Sequence, residues 1–157
     1  MKRPRGFTLI ELVITLAILG MLATVAVPIA QLAVQRSKEQ ELRRGLWQIR
    51  EAIDAYKRAY DEGRVPRKLN ASGYPPTLET LVEGVEDARS PEKRRIYFLR
   101  RLPRDPLHAD ARADAIGTWG QRSYASAADE PRSGDDVYDV YSRADGIGLN
   151  GVPYRKW

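Results

Sequence analysis

The sequence predicts an α+β fold in which a long N-terminal helix packs on a small antiparallel sheet. Three observations predict this fold: an uncharged apolar run from Leu12 to Ala30, a stripe of apolar residues at helical spacing after it, and two short strand candidates near the end of the chain. With 157 residues, of which 30% are charged and 43% hydrophobic, the chain has room for one such domain.

The apolar run lies within the longest uncharged segment of the chain. Its nineteen residues are about the number that a helix needs to cross a hydrocarbon layer of roughly 30 Å. Lys2, Arg3 and Arg5 precede it and supply three of the five net positive charges. Because so little basic surplus remains elsewhere, charge alone does not favour a nucleic-acid partner. The chain has no cysteine, which excludes disulfides, thiol catalysis and lipidation on cysteine.

Three interpretations compete for this N-terminal segment. A cleaved secretory signal predicts an A-x-A-like site, but no two alanines of the segment stand two positions apart. An uncleaved membrane anchor explains the apolar run, yet it leaves Glu11 as an unexplained cost of about 2.5 to 3.5 kcal/mol at mid-bilayer. In the third interpretation the chain is cleaved before the apolar run, the run stays in the mature protein, and Glu11 has a partner.

The stretch Gly6-Phe7-Thr8-Leu9-Ile10-Glu11 resembles the class III leader of type IV pilins and type II secretion pseudopilins. This resemblance implies that a prepilin peptidase cuts between Gly6 and Phe7 and that the new N-terminal Phe7 is methylated. It implies a leader of residues 1–6 and a transmembrane or filament-core segment of residues 7–33. Residues 34–157 then form a type IV pilin-like periplasmic head that includes the second half of the helix.

Glu11 is the candidate assembly residue. After cleavage it lies four residues, about one helical turn, from the new terminal ammonium group. Opposite charges in a low-dielectric medium are costly to bury and persist when they are paired. The resemblance implies that the partner is the terminal amine of a neighbouring subunit. The alternative is a carboxylate that reaches the membrane interface from near the helix end.

The helix is predicted to run nearly continuously from Phe7 to about Tyr60. After the membrane segment its apolar residues step by 4, 3, 4, 3 and 4 positions, which is typical of one helix with a narrow buried face: Leu42, Leu46, Ile49, Ile53, Tyr56 and Tyr60. Glu39 with Arg43, and Asp54 with Arg58, stand at ion-pairing spacing on this helix.

Gly20 and Pro28 are the predicted weak points of the helix, because glycine loosens a helix and proline removes a hydrogen bond. The resemblance implies that this region stretches or melts during polymerisation. Simple tolerance is the alternative, since both residues are common in membrane helices.

The head is predicted to contain a short helix and two strands. The helix covers Thr77 to Glu83, between a proline pair and a glycine. The strands cover Trp119 to Ala125 and Val137 to Ser142. Before them, the stretch from Leu102 to Pro106 resembles a motif of pseudopilin heads, where it fixes the entry to the sheet.

A calcium site is the one cofactor that the resemblance raises. Major pseudopilins carry a C-terminal calcium loop, and Ser142 to Gly146 resembles its start. Calcium takes six to eight oxygen ligands, usually with several carboxylates. No acidic residue follows Asp145, so we expect no cofactor, with Asp145 as the one weak metal candidate. Tyr154 and Trp157 are expected to close the tail by packing on the sheet.

The resemblance implies a structural subunit that polymerises into a type II secretion pseudopilus. Its implied partners are further copies, other pseudopilins, the prepilin peptidase and the inner-membrane assembly platform. No paired carboxylates, Ser-His-Asp set or phosphate loop can be assembled, so no enzyme is expected. A membrane enzyme would need a pocket with convergent polar groups.

The alternative is a minor type IV pilin or a competence pseudopilin that binds surfaces or DNA. Binding single-stranded DNA would require arginines combined with exposed aromatic rings. One cluster offers this combination: Arg94, Arg95, Arg100 and Arg101 around Tyr97 and Phe98.

Overall fold

The structure is a computed structural model that describes residues 6–67, 69 and 71–157. The chain divides into two compact units, Met1–Ser37 and Lys38–Trp157. Residues 1–5 of the predicted leader lie outside the described residues.

Helix α1 is the longest element and covers Leu9–Asp61. It begins two residues after the predicted start and ends one residue after the predicted end, and it continues through Gly20 and Pro28. The elements that follow are helix α2 (Leu78–Glu83), strands β1 (Val85–Glu86) and β2 (Arg95–Ile96), a 3₁₀ helix (Ile116–Thr118), strands β3 (Trp119–Arg122) and β4 (Asp139–Ser142), and a final 3₁₀ helix (Tyr154–Lys156). The predicted α+β class is confirmed.

The apolar stripe of α1 forms the core of the second unit. Leu42, Leu46, Ile49 and Ile53 are each at most 3% exposed, and Tyr56 is 6% exposed. Burying an aliphatic side chain of this size contributes about 1.5 to 3 kcal/mol. The 3.6-residue periodicity therefore identified the buried face of this helix correctly.

Trp119 of strand β3 packs against α1 at Gly45, where the helix has no side chain. Gly45 leaves room for the Trp119 ring, because a Cβ at Gly45 would lie 3.3 Å from two ring atoms. The Trp119 indole N–H donates to the Pro103 carbonyl at 2.8 Å. A ring that is 1% exposed thus keeps its one polar group hydrogen-bonded.

Two small antiparallel sheets complete the second unit. β1 pairs with β2, while β3 pairs with β4 in the register that places Trp119 opposite Ser142. Within α2, Leu78 and Leu81 are fully buried, and Val82 is partly buried. α2 ends at Gly84, whose positive φ of 74° admits few residues other than glycine.

Asp105 joins the loop before the second sheet to strand β4 and to the residue that precedes β3. Its carboxylate accepts hydrogen bonds from the Ser142 hydroxyl at 2.5 Å and from the Leu107 amide at 2.8 Å. Its own amide donates to the hydroxyl of Thr118, the residue before β3, at 3.2 Å. The expectation that this stretch fixes the entry to the sheet is confirmed.

Candidate assembly site

The junction predicted for cleavage lies outside regular structure. Residues 6–8 are not helical, and α1 begins at Leu9. Gly6 is exposed and Phe7 is 81% exposed. Exposed backbone outside regular structure is the form that proteases cut most readily. The Gly6–Phe7 peptide bond is therefore sterically open to an enzyme, and its role as the processing site stays a prediction.

Glu11 lies in the first turn of α1, where a negative charge is favoured by the helix dipole. Its backbone N–H donates to the Thr8 hydroxyl at 3.3 Å. Thr8 and Glu11 thus stand at the N-cap and N3 positions, which is the spacing of a capping box. Thr8 is not among the site residues predicted from the sequence, although the spacing Thr-x-x-Glu before an apolar run would have identified it.

The segment after Glu11 presents an apolar surface on every side. All described residues from Gly6 to Val34 are exposed. An 18-residue window of α1 has a mean hydropathy of 2.5 and is 0% buried, and by length and composition the helix can cross a membrane. The hydroxyls of Thr15 and Thr24 donate to the carbonyls of Leu12 and Met21, so these polar groups are satisfied within the helix.

Gly20 and Pro28 lie further along the same exposed segment. A Cβ at Gly20 would meet no atom within 4 Å. Pro28 lacks the N–H that would bond the Thr24 carbonyl, yet the helix continues through it. The predicted role of these two residues in helix flexibility stays a prediction.

Asp145, the metal candidate, lies in the C-terminal tail of the second unit. Its side chain is 90% exposed and forms an ion pair with Arg155 at 2.7 Å. The neighbouring Ser142 hydroxyl is engaged by Asp105. Among the described residues, no three His, Cys, Asp or Glu side chains are grouped in a way that could hold a metal. The described side chains around Asp145 offer few carboxylates for the six to eight oxygen ligands that calcium takes, and the expected absence of a metal stays a prediction.

The arginine and aromatic cluster exposes its four arginines and one of its two aromatic rings. Phe98 is partly buried, with its ring centroid 5.2 Å from that of Tyr56. Arg94 pairs with Glu92 at 2.7 Å, and Arg95 donates to the Gly84 carbonyl. Tyr97, at 64% exposure, is the ring of this cluster that solvent reaches most fully.

An exposed apolar helix that begins just after an open Gly-Phe junction and carries one carboxylate in its first turn defines a pilin-like subunit. Residues 1–27 match the family model described as the prokaryotic N-terminal methylation motif. No solved structure matches the chain significantly.

Comparison with curated proteins identifies relatives over most of the chain. The chain is 32% identical over 143 residues to type II secretion system core protein G of Klebsiella pneumoniae. The aligned region covers 87% of this chain and 94% of the relative. It is 29% identical over 158 residues to the protein of that name from Dickeya chrysanthemi, with 96% of each chain covered. The chain belongs to the family of type II secretion system core protein G, and it is a pseudopilin.

Proposed function

We propose that this protein polymerises, after cleavage between Gly6 and Phe7 and methylation of Phe7, into the pseudopilus of a type II secretion system. The observation that carries the proposal is the exposed apolar segment of α1 with Glu11 in its first turn. Family membership and the match to the methylation motif support it.

The apolar surface of α1 needs to be covered, but it does not by itself select the covering. Sixteen large apolar side chains between Phe7 and Val34 are exposed. In a bilayer, lipid covers such side chains as well as a neighbouring helix does, so hydrophobic burial gives little drive to leave the membrane for a filament. An interaction that an isolated subunit lacks must supply that drive.

Glu11 offers such an interaction. An ionised carboxylate facing hydrocarbon is unfavourable until it has a partner. The Phe7 ammonium group of a neighbouring copy carries the opposite charge. Pairing across the subunit boundary would neutralise both groups at once, so the filament would be favoured over the isolated subunit.

The proposed location is the bacterial inner membrane, with one pass of the chain and the head in the periplasm. Lys2, Arg3 and Arg5 would keep the leader on the cytoplasmic side, in accord with the positive-inside rule. The proposed partners are further copies, other pseudopilins, the prepilin peptidase and the assembly platform. The proposed role is structural and not catalytic.

A surface-binding or DNA-binding minor pilin is not favoured. Phe98 is partly buried against Tyr56, and Arg95 is engaged by the Gly84 carbonyl, so neither is free to form a stacking platform. The relatives named above belong to a secretion system.

The test is Glu11→Gln in the full chain, expressed with the secretion machinery. Glutamine keeps the hydrogen-bonding shape of the side chain and serves as well as glutamate in a capping box, so the start of α1 is preserved while the charge is removed. We expect carbonate-resistant membrane insertion to be unchanged and sheared pseudopili to be lost. Glu86→Gln, which removes an exposed carboxylate from β1, is the matched control and should leave filaments at the wild-type level.

Normal filaments from Glu11→Gln would refute the pairing role of the carboxylate. Loss of filaments together with loss of membrane insertion would show that Glu11 acts earlier than assembly, which would also contradict the proposal.

A further inference from the structure

We propose that Glu39 and Arg50 of α1 hold the C-terminal tail, residues 143–157, on the head. Their hydrogen bonds would restrain the tail without a bound calcium ion. This inference concerns the folding of the head and does not depend on the proposed function. Its basis is a set of hydrogen bonds that join the tail to two charged residues of the helix.

Glu39 holds the middle of the tail. It is 5% exposed, which is unusual for a carboxylate. Its Oε1 atom accepts hydrogen bonds from the Leu149 amide and from the Tyr154 hydroxyl, both at 2.9 Å. A carboxylate that accepts hydrogen bonds from two positions of a loop holds those positions together. A bound cation restrains a loop in a comparable way, by coordinating several of its oxygens.

Arg50 holds the end of the tail. Its guanidinium donates to Asp139 at 2.8 Å, to the Val140 carbonyl at 3.0 Å and to the backbone oxygen of Trp157 at 2.7 Å. One cation thus joins strand β4 to the end of the tail. Because the planar guanidinium presents several donors in a fixed arrangement, it can serve these acceptors together.

Ring packing closes the tail between these two anchors. The Tyr154 and Trp157 rings meet edge to face, with centroids 5.3 Å apart. The guanidinium of Arg43 lies 4.5 Å from the centroid of the Trp157 ring, within the range of a cation–π contact. The two rings close the tail by contacts with each other and with α1, while their expected packing on the sheet stays a prediction.

The contacts of the tail also argue against calcium at Asp145, the metal candidate of this sequence. Asp145 is 90% exposed and engaged by Arg155. Gly146 to Gly151 is closed by backbone bonds, from Gly148 N–H to the Val152 carbonyl and from Gly151 N–H to the Gly148 carbonyl. The carboxylate best placed to restrain the tail, Glu39, is occupied by hydrogen-bond donors of the protein.

The test compares the full chain in detergent in excess calcium chloride and in excess EGTA. The expected result for the wild type is the same Tm in both solutions and no calcium binding by titration calorimetry. Tyr154→Phe keeps the ring but removes the hydroxyl donor to Glu39. We expect it to lower Tm by on the order of 5 °C and to speed amide exchange several-fold in the peptide that contains Leu149.

Two matched variants separate these hydrogen bonds from a metal site. Tyr97→Phe makes the same chemical change at an exposed ring and should leave Tm and the exchange of the tail unchanged. Asp145→Asn removes the candidate metal ligand and should also leave Tm nearly unchanged, since an exposed ion pair contributes little.

A Tm that rises with calcium in the wild type and no longer rises in Asp145→Asn would overturn the proposal in favour of a metal site. Unchanged Tm and tail exchange in Tyr154→Phe would overturn it as well, because the hydrogen bond to Glu39 would then restrain nothing. Neither result bears on filament formation, so the inference can fail while the proposed function stands.

Discussion

Removal of the Asp105 carboxylate is expected to be among the most damaging single changes in the head. Asp105 is 1% exposed, and its two oxygens accept from the Ser142 hydroxyl and the Leu107 amide. Hydrogen bonds to a charged group contribute about 1.5 to 3 kcal/mol each. Asp105→Ala removes both hydrogen bonds and leaves the two donors without their acceptor. We therefore expect the free energy of unfolding to fall by roughly 3 to 5 kcal/mol.

The measurement is urea unfolding of the full chain in detergent, followed by near-ultraviolet circular dichroism. Ser142→Ala removes one of the two donors and should cost about 1 to 3 kcal/mol. Because the two residues share a hydrogen bond, the double variant should lose less than the sum of the single losses, with a coupling of about 0.5 to 3 kcal/mol.

Asp129→Ala, at an exposed position of the long loop before β4, is the matched control and should change stability by less than about 0.5 kcal/mol. The reasoning fails if Asp105→Ala behaves like this control. It also fails if the losses from Asp105→Ala and Ser142→Ala are simply additive, because the hydrogen bond between them would then contribute nothing.

Two further outcomes are expected in the head. The Arg64 side chain, and after it the Arg89 backbone N–H, lower the pKa of Asp87 below its ordinary value of 3.8. The stability that this carboxylate contributes is therefore present above pH 3.8 and is lost as pH falls through the lower folded-state pKa. Asp87→Asn should lack this acid dependence of the free energy of unfolding, measured by urea titration. Equal acid dependence in both proteins would contradict the prediction. Gly84→Ala would place a Cβ 2.5 Å from the Ile96 carbonyl oxygen at a φ of 74°. It should therefore lower the free energy of unfolding by roughly 1 to 3 kcal/mol in the same assay. An unchanged urea midpoint would refute this strain.

The N-terminal helix was the part of the fold most open to prediction from sequence. Its bounds follow from a long apolar run and a 3.6-residue periodicity, both of which are local properties of the chain. The strands were harder to delimit. Val137 was predicted to begin the second strand, but its N–H donates to the Pro75 carbonyl, and the β4 ladder starts at Asp139. β1 and β2 have two residues each, too few for any alternation to be visible.

The charged residues of the head show why their partners could not be predicted. Arg58, which stands at ion-pairing spacing from Asp54, forms its ion pair with Glu51. Glu39 binds residues 110 and 115 positions away in the chain. Such partners depend on how the tail folds back on α1, and no local pattern contains that information. The Thr8 cap, by contrast, lay within four residues of sequence.

The mass of the mature protein tests the central claim most directly. If the protein is processed as a pseudopilin, mass spectrometry of the membrane fraction will show a chain that begins at Phe7, lacks residues 1–6 and carries one added methyl group. A chain that retains Met1, or one that begins near Val27 after removal of the apolar run, would contradict the account, because neither could present the Phe7 amine to the Glu11 of a neighbour.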